Sequence, residues 1–200
     1  MNNKNENYRI LIVDDNKDLR AIIKEYLSDN GDVIEGACDG KDALDKYLKK
    51  PYDLIITDLN MPELTGIELI KRIRKQSDVT EFIIITGYAS LDSAVESIKA
   101  GAFDYIVKPF RMEELKVVVK NAKDKILLKK INMELLKKLK TFYDEIERYK
   151  QHGNLETNAE ANRETNTKTN NTGGDTERIV SEIMKLENLV KGHLMIQEEL

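Results

Sequence analysis

Three features of this 200-residue chain predict an α/β fold, a doubly wound parallel sheet covered on both faces. Five short apolar runs alternate with segments whose apolar residues recur at helical spacing. The runs lack polar–apolar alternation, so both faces of each strand are buried, as parallel sheets require. Three of the runs stop at an acid or a Thr-Gly pair. Polar groups thereby collect at the carboxyl ends of strands, where ligands bind in open α/β sheets.

The elements follow in order. Tyr8 to Val13 (YRILIV) is a β-branched run that ends in Asp14-Asp15. Leu19, Ile22, Ile23, Tyr26 and Leu27 then recur at helical spacing from Asp18, and Asn30-Gly31 stops that helix. Asp32 to Ala37 is the second strand. Asp39 or Gly40 opens a helix through Ala43, Leu44, Tyr47 and Leu48, ended by Pro51. Leu54-Ile55-Ile56-Thr57 is the third strand and halts at Asp58. Pro62 holds Met61 extended, so the stretch after Asp58 is a loop. Thr65-Gly66 begins the helix of Ile67, Leu69, Ile70 and Ile73, and Glu81 to Thr86 (EFIIIT) is the fourth strand. Ser90-Leu91-Asp92 starts a helix with Ala94, Val95 and Ile98 that stops at Gly101. Asp104 to Val107 is the fifth strand and runs into Lys108-Pro109-Phe110. Right-handed crossovers favour the flavodoxin-like strand order 2-1-3-4-5 for such a chain.

A last helix opens near Met112 and does not stop where the domain should. From Glu113 to about Lys150 there is neither Pro nor Gly, which permits roughly 57 Å of helix at 1.5 Å per residue. Leu115, Val118, Val119 and Ala122 are offered to the sheet. Beyond them Leu128, Ile131, Leu135, Leu139, Phe142, Ile146 and Tyr149 form a stripe that a lone projecting helix cannot bury, so a coiled coil is expected, with Lys137, Lys138 and Lys140 crowding its seam. Residues 1–7 read as an unstructured start, 8–121 as the globular domain, 122–150 as the helical extension and 151–174 as a flexible polar linker. Residues 175–200 read as an amphipathic helix with Ile179, Ile183, Leu186, Val190 and Leu194 on one face.

Composition narrows the classes. The net charge of −4 implies no particular partner, and a single Cys excludes an internal disulfide. Cys38 is expected to pack near a strand end rather than to react. The N-terminus lacks the apolar core of a signal peptide, and the longest apolar runs are strand-sized, so a cytoplasmic protein without a membrane span is expected. Lys108 to Lys140 holds eleven basic and four acidic residues, a local net of +7. These lysines read as a solvated face rather than a nucleic-acid stripe.

The strand ends carry the chemistry. Asp14, Asp15, Asp58, Thr86 and Lys108 leave strands one, three, four and five at the same edge. Carboxylates about 4 Å apart repel by roughly 4 kcal/mol per pair at an effective dielectric of 20. Such a cluster calls for a cation, and oxygen ligands suit Mg²⁺. A carboxylate beside a divalent ion and an ammonium is placed to attack a phosphoryl group.

The segments ILIVDD, DLIITDLNMPELTGIEL, IIITGYA and AFDYIVKPF resemble the receiver domain of bacterial two-component response regulators. TGYASLDSAVESIKAGAFDYIVKPF is most similar to the nitrogen-regulator subgroup. The resemblance covers about Tyr8 to Asn121. It implies that Asp58 is the phosphoacceptor for a histidine kinase or phosphotransfer protein. It implies that Asp15 binds Mg²⁺ directly, Asp14 largely through water, and that the Asn60 backbone carbonyl completes the protein ligands. Thr86 and Tyr105 match the switch pair and Lys108 the phosphoryl contact, with a cis bond to Pro109. At most self-phosphorylation and self-dephosphorylation are expected of the chain, with no separate catalytic domain. Relatives of this subgroup continue into an ATPase and a DNA-binding helix-turn-helix, but no G-x-x-x-x-G-K-[ST] loop follows Pro109.

Tyr88, two residues after Thr86, is expected to hinder attacking water and slow self-dephosphorylation. His152 and His193 stand alone in polar surroundings and carry no expected role. Output is expected through a protein partner or through homodimerisation by the C-terminal helix. The competing reading is a phosphotransfer intermediate or phosphate sink.

Overall fold

The computed structural model describes residues 7–28, 31–88 and 90–160. Parallel strands β1 (Arg9–Val13), β2 (Val33–Ala37), β3 (Leu54–Asp58), β4 (Glu81–Thr86) and β5 (Asp104–Val107) form one sheet in the order β2-β1-β3-β4-β5. Helices α1 (Lys17–Leu27), α2 (Gly40–Lys49), α3 (Gly66–Arg74), α4 (Leu91–Lys99) and α5 (Met112–Glu160) alternate with them. The five strands, the four helices between them, the helix opening at Met112 and the strand order are as expected.

Successive strand residues face opposite sides of a sheet, and here both sides are apolar. Leu11, Ile55, Phe82 and Ile84 pack with Tyr47 of α2 and Leu69, Ile70 and Ile73 of α3. Their neighbours Ile10, Ile12, Leu54, Ile56, Ile83 and Ile85 pack instead with Ile23 and Leu27 of α1 and with Leu115, Val119 and Ile126 of α5. Each such buried side chain contributes about 1.5–3 kcal/mol. Two cores, one per face, explain why the strands show no period-2 polarity.

Helices α1 to α4 start on side-chain caps, Asn16, Asp39, Thr65 and Ser90. Each cap follows the carboxyl end of a strand, so strand ends and the positive ends of helices converge on one edge. The β3–α3 connection is held close to the sheet at Gly66, where a Cβ would meet the Asp58 carbonyl at 2.4 Å. Only glycine allows that approach.

The opposite, amino edge is also built from charge. Asp32 lies just before β2 and pairs with Lys123. Asp53 lies just before β3; it accepts the Arg9 N–H at 2.8 Å and pairs with Lys130 at 2.8 Å. Glu81, the first residue of β4, has a fully buried side chain facing Arg74 at 3.3 Å, Lys125 at 3.5 Å and Lys129 at 2.6 Å. The Lys129 contact is a close ion pair that is not aligned as a hydrogen bond. Helix α5 therefore lies on the sheet beyond Asn121: Ala122 and Ile126 are buried, and four of its lysines grip the amino edge. The globular packing thus extends past the 8–121 boundary, because Leu115, Val119, Ala122 and Ile126 continue one helical row. The solvated-face reading of the lysines is corrected for Lys123, Lys125, Lys129 and Lys130.

The chain divides into two compact units, Met1–Tyr143 and Asp144–Leu200. In the second, α5 continues to Glu160, ten residues into the stretch expected as linker. One glycine, Gly153, costs about 1 kcal/mol in a helix interior and does not end one already nucleated. The rest of that linker, residues 1–6 and the amphipathic segment 175–200 lie outside the described residues. Among the described residues no helix is long and apolar enough to cross a membrane.

Candidate functional site

Asp58 is the last residue of β3, at the middle of the sheet, and Asp14 is the first residue after β1. The Lys108 backbone N–H donates to the Thr86 carbonyl at 2.8 Å, which carries Lys108 past the end of β4 and back across the edge. Its Nζ then donates to Asp14 Oδ2 and to Asp58 Oδ2, each at 2.7 Å. The two carboxylates are therefore no more than twice that distance apart. Each spends its other oxygen on its own turn. Asp14 Oδ1 accepts the Asn16 N–H at 2.8 Å, and Asp58 Oδ1 accepts the Asn60 N–H at 3.2 Å.

Burial alone lowers the pKa of the Lys108 ammonium. The hydrogen bonds it donates to Asp14 and Asp58, with their negative charge, outweigh it, and the net shift is upward. Lys108 is thus firmly protonated at neutral pH. Asp14 is buried and Asp58 half-buried, whereas Asp15 and Asn60 are exposed.

The expected residues are brought together in part. Asp14, Asp58 and Lys108 meet directly. Asp15, the next residue, lies at a bend after β1 and is exposed. No group of three His, Cys, Asp or Glu is assembled as a metal site among the described residues. The ammonium stands between the carboxylates and holds their charge, where the sequence suggested three acids around a cation.

Thr86 is fully buried, and its Oγ1 accepts the Tyr88 N–H at 3.2 Å. Tyr105 pairs in register with Ile84, two residues before Thr86, so Tyr105 and Thr86 share one face of the sheet. The Tyr105 hydroxyl lies 2.9 Å from Ser93 Oγ on α4. The Lys108–Pro109 peptide is cis, as expected. Tyr88 is 78% exposed at the rim. Cys38 does follow a strand, but it is exposed rather than packed. Its thiol is pushed up in pKa, chiefly by a hydrogen bond to Asp39, which favours the protonated form.

Sequence reasoning missed Ser93, whose only local signal is that of a cap, and Gly66, which it read as a helix start. It also missed the amino-edge acids. Their signal was present: Asp32, Asp53 and Glu81 each stand at the entry to a strand otherwise built of apolar residues.

Residues 10–120, more than half of the chain, match the response regulator receiver domain family. Regulatory protein AtoC of Escherichia coli (strain K12) is 34% identical over 151 residues, which cover 76% of this chain and 31% of AtoC. Response regulator ArlR of Staphylococcus epidermidis is 42% identical over 123 residues, 60% of this chain and 56% of ArlR. The crystal structure of a response regulator receiver domain protein from Clostridium thermocellum aligns at a TM-score of 0.56 and 32% identity, over 62% of this chain and 98% of that one. The chain spans between about a third and about half of these two curated relatives. With its 2-1-3-4-5 sheet and its Asp14–Lys108–Asp58 edge, the chain belongs to the response regulator receiver family.

Proposed function

We propose that Asp58 is the phosphoacceptor of a two-component phosphorelay. The observation that carries this is the ammonium of Lys108 bridging Asp58 and Asp14 at the carboxyl edge of a central strand. In the transfer, an Asp58 carboxylate oxygen forms a bond to phosphorus as the bond from phosphorus to the donor atom breaks. The electron pair of the broken bond leaves with the donor, the imidazole nitrogen of a histidine kinase or phosphotransfer protein. Lys108 is already charged and can follow the phosphoryl oxygens as a point donor. The Thr86 hydroxyl, at the end of the next strand, would contact them once the site is phosphorylated.

The donor set at this edge is all oxygen and partly open to solvent, which fits Mg²⁺. Asp14, Asp15, Asp58 and the Asn60 carbonyl would hold it, and the ion would neutralise charge on the transferred oxygens.

Phosphorylation adds close to two negative charges at Asp58. Thr86 and Tyr105 share a sheet face beside it and form the switch pair. Output passes to a helical partner or a second copy of the chain. The apolar residues Leu128, Ile131, Leu135, Leu139 and Phe142, all exposed along α5, support that reading.

The test is intact-mass labelling by acetyl phosphate with and without Mg²⁺. One phosphoryl group should appear on the wild type and none on Asp58→Asn. An unlabelled wild type overturns the assignment. For output, beryllofluoride should change the dimer constant in the ultracentrifuge, and an unchanged constant removes the dimer reading.

A further inference from the structure

Ser93 Oγ lies 2.9 Å from the Tyr105 hydroxyl and so joins β5 to the first turn of α4. It is not a free acceptor. The same oxygen accepts the Ser90 N–H at 3.1 Å, lies 2.9 Å from Ser90 Oγ and donates to the Ser90 carbonyl at 3.0 Å. A serine hydroxyl has one proton and two lone pairs, so it serves three partners at most. Four groups stand around this one. With its proton on the Ser90 carbonyl and one lone pair on the Ser90 N–H, the hydroxyls of Tyr105 and Ser90 compete for the other.

That competition has a consequence for motion. When the Tyr105 hydroxyl leaves, Ser90 Oγ takes the lone pair, and no acceptor is stranded. The α4 cap survives the change, since the Ser93 N–H still donates to Ser90 Oγ at 3.0 Å. Thr86 lies at the start of the connection that ends at Ser90, and its Oγ1 holds the Tyr88 N–H there.

We infer that Ser93 is a latch for Tyr105. Its hydroxyl holds the tyrosine in the resting arrangement, releases it at small cost, and ties its position to the cap of α4. The latch is a positioning role and rests on the phosphoacceptor reading, in which Tyr105 moves once Asp58 carries phosphate.

The test is read on Tyr105 in the unphosphorylated full chain, by nuclear magnetic resonance of ring-labelled tyrosine assigned with Tyr105→Phe. Ser93→Ala should move the Tyr105 signal toward its position in the beryllofluoride-treated wild type. The population change should be about two- to tenfold, the equivalent of one neutral hydrogen bond. Ser93→Thr keeps the hydroxyl and should restore the resting position.

Labelling of Asp58 by acetyl phosphate should rise with Ser93→Ala by a similar factor, and the rise should vanish in a Tyr105→Phe background. An unmoved signal in Ser93→Ala overturns the latch. So does a labelling gain that persists without the Tyr105 hydroxyl. If the wild type takes no label at all, the phosphoacceptor reading fails, and the signal measured without phosphate still decides the latch.

Discussion

At the carboxyl edge of the sheet Asp14 and Asp58 share the ammonium of Lys108, whereas at the amino edge Asp32, Asp53 and Glu81 face Lys123, Lys130, Lys125, Lys129 and Arg74. Both edges use the same chemistry in opposite proportion. Where cations outnumber acids, the acids are charge-paired and the helix that supplies the lysines is fastened to the sheet. Where acids outnumber cations, two carboxylates compete for one charge, and an incoming ion or phosphoryl group finds work to do. Excess negative charge at one edge is reactivity, and its full compensation at the other is structure.

The largest test removes Lys108. Without the ammonium, Asp14 and Asp58 face each other uncompensated, a repulsion of about 3 kcal/mol at 5 Å and an effective dielectric of 20. Lys108→Ala should slow acetyl phosphate labelling by about 10²–10³-fold, the usual loss for one charge-stabilising donor. It should also make Mg²⁺ raise the thermal midpoint more than in the wild type. A group with a raised pKa contributes its stability fully below the ordinary lysine value and loses it only as pH climbs through the folded value. Labelling changes near neutrality should therefore not trace to Lys108. Equal labelling rates for Lys108→Ala and wild type would break the contrast between the edges.

The amino edge should respond in the other way. Glu81→Ala leaves Arg74, Lys125 and Lys129 around an empty site, but all three reach solvent in part. The cost should fall short of the 3–5 kcal/mol for breaking a buried pair, at about 2–3 kcal/mol in a denaturant titration. Labelling of Asp58 should stay within about twofold of wild type. A collapse of labelling with stability retained would mean that the amino edge takes part in the chemistry.

What could be read from the sequence follows the same division. Strands and helices were legible because each rests on local pattern, and the caps Asp39, Thr65 and Ser90 stand where the sequence placed helix starts. Asp14, Asp58 and Lys108 were legible because strand ends are. The lysines of α5 were misread because their partners are remote: Lys123 and Asp32 lie 91 residues apart, and nothing local announces the pair. Ser93 was missed for a related reason, since a serine in a first turn reads as a cap whatever else its hydroxyl touches.

Asp39 sharpens the comparison most finely, since it is an acid near the carboxyl edge with a structural task. It caps α2, its Oδ1 accepting the Asp42 N–H at 2.7 Å, and that bond is the main cause of its lowered pKa. A depressed carboxyl contributes stability above its unfolded value, near 3.9, and loses it as pH falls through the folded value. Asp39→Ala should therefore cost about 1 kcal/mol at neutral pH, and the difference from wild type should narrow as pH falls through the folded value. Asp39→Asn keeps a neutral cap and should stay within a few tenths of a kcal/mol of wild type at pH 7, without the acid-dependent loss. Thermal midpoints of the three proteins between pH 2 and 7 decide this. Labelling of Asp58 should be the same in all three. If Asp39→Ala slowed it as Lys108→Ala does, reactivity would belong to the whole carboxyl edge rather than to the two acids that share one ammonium.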